Sequence, residues 1–142
     1  MKTGVEYLIS KNYDVQIEGM CWMQGESDSF STKNATDYKE NLTNLISDLR
    51  DRFEKYASND GIAFIDAYIA AAPDIWIYCD LVNESKQSVA DSSELNVVID
   101  TVAEGLTRTE EPEGAPDLAH YDSLSEIKLG NLFGEAVANF FD

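Results

Sequence analysis

Short segments rich in β-branched and aromatic residues alternate along this chain with longer segments of helical period. Residues 15–22, 62–67 and 96–101 read as strands. Between and around them lie four segments with apolar residues at three- and four-residue steps. One runs from 3 to 12 and places Val5, Leu8 and Ile9 on one face. The clearest runs from 35 to 57, with Tyr38, Leu42, Leu45, Ile46, Leu49, Phe53 and Tyr56 in a stripe. Asp37 and Glu40 fall in its expected first turn, where the helix dipole favours acids. A third runs from 74 to 90 and includes Trp76, Ile77 and Tyr78, which read as core. The last runs from 124 to 141, with Leu124, Ile127, Leu132, Phe133, Val137 and Phe140 as its apolar face. Ser123 and Glu126 have the spacing of a capping box at its start. Strands alternating with helices imply an α/β fold, a parallel sheet covered by helices.

Ligands of such folds bind beyond the C-terminal ends of the strands. Two loops there carry the polar chemistry. The first follows the strand at 15–22 and reads Trp22-Met23-Gln24-Gly25-Glu26-Ser27-Asp28. Gln24 can donate an amide hydrogen bond to an oxyanion. Gly25 permits a tight turn or a close approach. Glu26 and Asp28 can orient neighbouring loops. The same residues also suit a plain polar connection between strand and helix. The second loop spans 104–122, an unusual length for a structureless connection. It holds Asp117 and the only histidine, His120. Acyl transfer from a serine needs a base for the hydroxyl proton and a carboxylate on the other imidazole nitrogen. Asp-x-x-His can place both groups on one turn. Taken alone, such a pair reads more often as a surface loop with a local hydrogen bond than as a catalytic pair.

The charge balance is strongly acidic, 10 Lys and Arg against 27 Asp and Glu, for a net charge of -17. A surface of this sign repels nucleic acid and anionic membrane, which disfavours both as partners. No apolar run approaches the length of a membrane span. The opening residues lack the apolar run of a signal peptide, so the chain as it stands reads as cytoplasmic. At 142 residues it reads as a single domain. Cys21 and Cys79 lie in apolar surroundings without a metal-binding or redox spacing, and are expected to be buried free thiols. No metal or cofactor is called for.

Taken together, Trp22-Met23-Gln24-Gly25-Glu26-Ser27-Asp28, the helix carrying Leu49-Arg50, Val98-Ile99-Asp100-Thr101 and Asp117-Leu118-Ala119-His120 resemble one family. It is the sialate O-acetylesterase-like branch of the SGNH hydrolases, to which carbohydrate esterase family 6 and its acetylxylan esterases belong. The resemblance spans about residues 15–140 and implies a three-layer α/β/α sandwich of the SGNH/flavodoxin-like kind. It also implies serine-dependent removal of O-acetyl groups from carbohydrates, without a metal. On this resemblance His120 is the general base and then the general acid, and Asp117 orients it. Gln24 belongs to the block that contributes to the oxyanion site, and Gly25, Glu26, Ser27 and Asp28 complete that block.

The family's nucleophile block, a Gly-x-Ser type turn after its first strand, has no counterpart among the serines here. The nucleophile is therefore unassigned. The chain reads as the C-terminal part of the domain, with the N-terminal strands missing. An exposed sheet edge is then expected, open to an upstream segment or a second copy. A noncatalytic carbohydrate-binding or interaction remnant of the same fold is the alternative. A glycosidase built on Glu26 with Asp28 or Asp117 as paired carboxylates is a third reading.

Overall fold

The computed structural model describes residues 2–141, with side chains from 4 to 140. In chain order the elements are α1 (Lys2–Ser10), β1 (Gly19–Trp22), α2 (Thr32–Phe53), β2 (Ala63–Ala67), α3 (Cys79–Ala90), β3 (Asn96–Ile99) and α4 (Ser123–Phe141). The strands form one parallel sheet in the order β1-β2-β3. Cys21 is level with Ile65, and Ile65 with Val97. These side chains therefore share one face of the sheet, while Met20, Trp22 and Phe64 share the other.

Helices α2 and α3 cover the second face. Their core joins Tyr38, Leu42, Ile46 and Val82 to Phe64, Ile69 and Trp76. Helix α4 covers the first face, where Leu129 and its neighbours meet Ile65, Ala67 and Ile99. The result is the α/β/α layering expected of the sequence. Burying each large apolar side chain contributes about 1.5–3 kcal/mol, so these two seams hold the sandwich together. Helix α1 attaches separately, through Val5 against Phe53, Tyr56 and Ile62. No helix among the described residues is long and apolar enough to cross a membrane.

Several expectations are corrected. Helix α2 begins at Thr32, capped by Ser31, whose hydroxyl accepts from the Asn34 amide at 3.4 Å. Its first turn therefore holds no acid, and Asp37 and Glu40 lie further along. It ends at Phe53, and the stripe continues into a 3-10 turn that buries Tyr56. Strand β1 is confined to four residues, because Ile17 before it makes only a single bridge, to Ala57. Residues 74–78 form turns instead of the start of a helix. Trp76 is buried there, whereas Ile77 is 60% exposed.

Three further differences share one cause. Cys21 is exposed, not buried, and Leu124 and Ile127 of α4 are 76% and 62% exposed. Helix α4 packs on β2 and β3. Its packed stripe is consequently narrow, running through buried Ser125 and Leu129 and half-buried Leu132, Phe133, Ala136, Val137 and Phe140. Leu124 and Ile127 point to its other side, and Cys21 on β1 is left exposed. In α1 likewise only Val5 is buried, while Leu8 and Ile9 are exposed. Among the described residues β1 is an edge strand, paired through β2.

Candidate active site

The loop leaving β1 is pinned from within. Gly25 has φ +134, and a Cβ there would sit 2.8 Å from Val82 Cγ1 and 3.2 Å from the Tyr38 hydroxyl. Only glycine fits so strained a turn pressed onto α2 and α3. Fully buried Ser29 donates from Oγ to the Glu26 carbonyl at 2.6 Å, and its own carbonyl accepts from the Tyr78 amide at 2.9 Å. Residues 23–31 thereby acquire a fixed path, and Glu26 is turned toward the strand ends.

The loop 104–122 is held by polar groups, since every residue from 111 to 120 is exposed. The Asp122 carboxylate, in a residue only 4% exposed, accepts from three successive amides: Thr109 at 3.1 Å, Glu110 at 3.1 Å and Glu111 at 2.8 Å. Glu111 Oε2 accepts from the Ser123 amide at 2.8 Å and from its hydroxyl at 2.5 Å. Glu111 therefore caps α4 where the sequence suggested Glu126. The expected Ser123–Glu126 box does not form, because Ser123 is already the first helical residue and Glu126 donates its amide to the Asp122 carbonyl.

These contacts present Asp117 and His120 side by side, with His120 Nδ1 2.7 Å from Asp117 Oδ2. The bond to Asp117, and then its charge, raise the His120 pKa above the usual imidazole value, with Glu126 and Glu26 adding to it. The bond to His120 lowers the Asp117 pKa, helped by the Ala119 amide. An imidazole so held keeps Nε2 for proton transfer.

His120 borders a cavity of about 130 Å³ at the C-terminal ends of the strands. Met23 and Glu26 enter it from the β1 loop, Ala70 and Trp76 from the segment after β2, and Arg108 and Tyr121 from the long loop. Glu126 of α4 closes one side. The two polar loops therefore meet. No serine lines this cavity among the described residues. Ser27 is exposed, and Ser29 is committed to the Glu26 carbonyl.

The β1 loop is nevertheless divided. Gln24 and Asp28 face a second hollow, with Trp22, Tyr38 and Asn41. Gln24 Nε2 donates to Asp28 Oδ2, and the Tyr38 hydroxyl donates to the Gln24 carbonyl at 2.9 Å. The amide that would bind an oxyanion is thus engaged by Asp28 in this structure. Gly25 lies buried against Val82 and Tyr38.

Residues 5–139 match the family model described as carbohydrate esterase, sialic acid-specific acetylesterase. The chain belongs to this carbohydrate esterase family. No curated protein and no solved structure gives a significant match. Asp117 and His120 both fall within the matched residues.

Some residues that shape the site escaped the sequence reading. Asp66, at the end of β2, is bonded to Lys86 of α3 at 2.7 Å, and both are buried. Burial raises the Asp66 pKa despite Lys86, and burial lowers the Lys86 pKa despite Asp66. Lys86 also donates to the Ala67 carbonyl at 2.8 Å. A signal existed: Lys86 stands four residues after Val82 and three before Val89, on the apolar face of its helix. For Asp122 and Arg108 no local pattern distinguishes them from the other polar residues of the loop.

Proposed function

We propose that this chain supplies the acid–base half of a carbohydrate O-acetylesterase. The observation that carries the reading is the 2.7 Å bond from His120 Nδ1 to Asp117 Oδ2 at the edge of the strand-end cavity. In this reading a serine Oγ–H gives its proton to His120 Nε2 as Oγ attacks the acetyl carbonyl. The tetrahedral intermediate collapses by breaking the bond to the sugar oxygen, which takes the proton back from His120. Water, deprotonated by the same nitrogen, then releases acetate and restores the serine. Glu26 borders the same cavity, and Trp76 offers an apolar wall for a sugar ring or the acetyl methyl.

The serine comes, on this proposal, from outside the cavity's own lining. The open edge of β1 is where an upstream segment or a second copy would add a strand and carry a nucleophile to the same end of the sheet. The glycosidase reading has less support, because Asp28 is engaged by Gln24 and Asp117 by His120. A noncatalytic sugar-binding role is favoured by one observation, the lack of a serine at the cavity.

Hydrolysis of p-nitrophenyl acetate, compared with His120→Ala and with a serine-reactive phosphonate, tests the assignment. Turnover that needs His120 and is blocked by the phosphonate supports a serine esterase assembled by this chain or its oligomer. Turnover that survives His120→Ala removes His120 from the mechanism. Binding of an acetylated oligosaccharide with no turnover, even after an added nucleophile-bearing segment restores the sheet edge, would favour the noncatalytic role.

A further inference from the structure

The segment bearing Asp117 and His120 is exposed from 111 to 120, and its nearest apolar anchor is the half-buried Tyr121. Their side chains are 53% and 80% exposed. Exposed loops held only by solvent sample many geometries, which would scatter a proton acceptor over positions useless for catalysis. Tyr121 anchors only the C-terminal end of this segment, and a continuous set of polar contacts leads from the pair to a buried carboxylate.

We propose that Asp122 is the positioning residue for the Asp117–His120 pair, acting through Glu111. The proposal rests on the reading of His120 as the proton acceptor. The Asp122 carboxylate gathers the amides of Thr109, Glu110 and Glu111. Three successive N–H groups converging on one anion form a nest, and charge-assisted bonds of this kind are stronger than neutral ones. Glu111, fixed by that contact, accepts the Asp117 amide on its carbonyl at 2.9 Å. Asp117 then accepts the Ala119 amide on Oδ1 at 2.9 Å and the His120 ring on Oδ2. Asp122 is itself immobilised: its amide donates to the Thr107 carbonyl at 2.9 Å and its carbonyl receives the Glu126 amide of α4. The chain of contacts thus runs from the start of a packed helix to the exposed imidazole. Arg108 adds a second tether, donating from Nη1 to the Leu118 carbonyl at 2.7 Å.

The isosteric Asp122→Asn isolates the charge. An asparagine presents an NH2 group where a second acceptor is needed, so the nest loses bonds and gains a donor facing donors. The readouts are the His120 ring nitrogen signals by NMR, their titration, and amide hydrogen exchange. In the wild type, His120 is expected to hold Nδ1–H toward Asp117 and to titrate above the usual imidazole value. In Asp122→Asn its pKa should fall toward the ordinary imidazole value as the Asp117 contact loosens. Exchange at 109–120 should accelerate roughly tenfold or more, with β2 and α3 unchanged. Asp122→Ser is the companion variant, because serine keeps a small polar side chain at this position but cannot span three amides. It should show the same local loss.

Unchanged His120 signals and unchanged exchange in both variants would overturn the proposal. Global unfolding of both would overturn it too, by making Asp122 a residue of overall stability. If the wild type shows the Asp122-dependent signals yet no esterase activity in any completed form, positioning stands and the esterase reading falls. If activity depends on His120 but its signals ignore Asp122, the reverse holds.

Discussion

Lys86 is a sharp test of the sandwich because its charge is hidden completely. Its side chain is 0% exposed and that of Asp66 is 4% exposed. Replacing Lys86 with methionine keeps most of the aliphatic volume and removes the ammonium. Asp66 Oδ1 then keeps only the Ala67 amide at 2.8 Å, and Oδ2 already has no partner. Removing one member of a buried pair typically costs about 3–5 kcal/mol, because the remaining charge stays desolvated. For a chain of this length a kcal/mol moves the melting temperature by about 3 °C, so Lys86→Met should lower it by about 10–15 °C. Thermal unfolding by circular dichroism, with urea titration for the free energy, measures this directly.

The pH dependence has a definite sign. Burial already raises the folded-state pKa of Asp66 above its unfolded value. Removing Lys86 removes the main opposing influence, so that pKa climbs further. A folded carboxyl with a raised pKa binds more protons than its unfolded counterpart. It therefore destabilises progressively as pH rises from the unfolded carboxylate value to the folded one. The deficit of Lys86→Met relative to wild type should thus be smaller at about pH 5 than at about pH 8. The double variant Asp66→Asn, Lys86→Met, with no buried charge to strand, should recover most of the loss. A Lys86→Met protein melting within about 3 °C of wild type would refute the pair as described. A deficit independent of pH would refute its electrostatic origin.

Asp117→Asn should lower the His120 pKa toward the ordinary imidazole value, since the Asp117 bond and charge are what raise it; NMR titration reads the shift. Where esterase activity is present, neutral His120 is the active base. The acidic limb of the rate profile should then move to lower pH while the maximum rate falls by about 10³–10⁴-fold. Gly25→Ala should destabilise by about 1–3 kcal/mol, given φ +134 and a Cβ 2.8 Å from Val82 Cγ1. Unfolding by urea checks it, and an unchanged midpoint would mean that the loop is free to move away. Thiol titration of the native protein should modify Cys21 alone, with Cys79 reacting only after denaturation; two native equivalents would contradict the burial of Cys79.

The parts of this molecule legible in its sequence are those governed by period. The stripe Tyr38, Leu42 and Ile46 and the run Ile62–Ala67 find the core because apolar spacing and burial share one geometric cause. Element ends were less legible. The start of α2 turns on the Ser31 hydroxyl meeting one amide, and that of α4 on Glu111, twelve residues upstream of Ser123. The apolar face assigned to α4 was too wide because a helical stripe records what a helix can bury, whereas the sheet decides what it does bury. Leu124 and Ile127 carry the right spacing and face away from β2 and β3. Asp-x-x-His was legible as a local pair because three residues suffice to build it. What holds that pair over the cavity was not, since the Asp122 nest joins residues separated by eleven to thirteen positions. The same distinction explains the divided β1 loop. Seven consecutive residues read as one block, but the sharp turn at Gly25 sends Glu26 to His120 and returns Gln24 and Asp28 to Tyr38. Contiguity in sequence gave no warning of that parting, and the left-handed φ of a single glycine produces it.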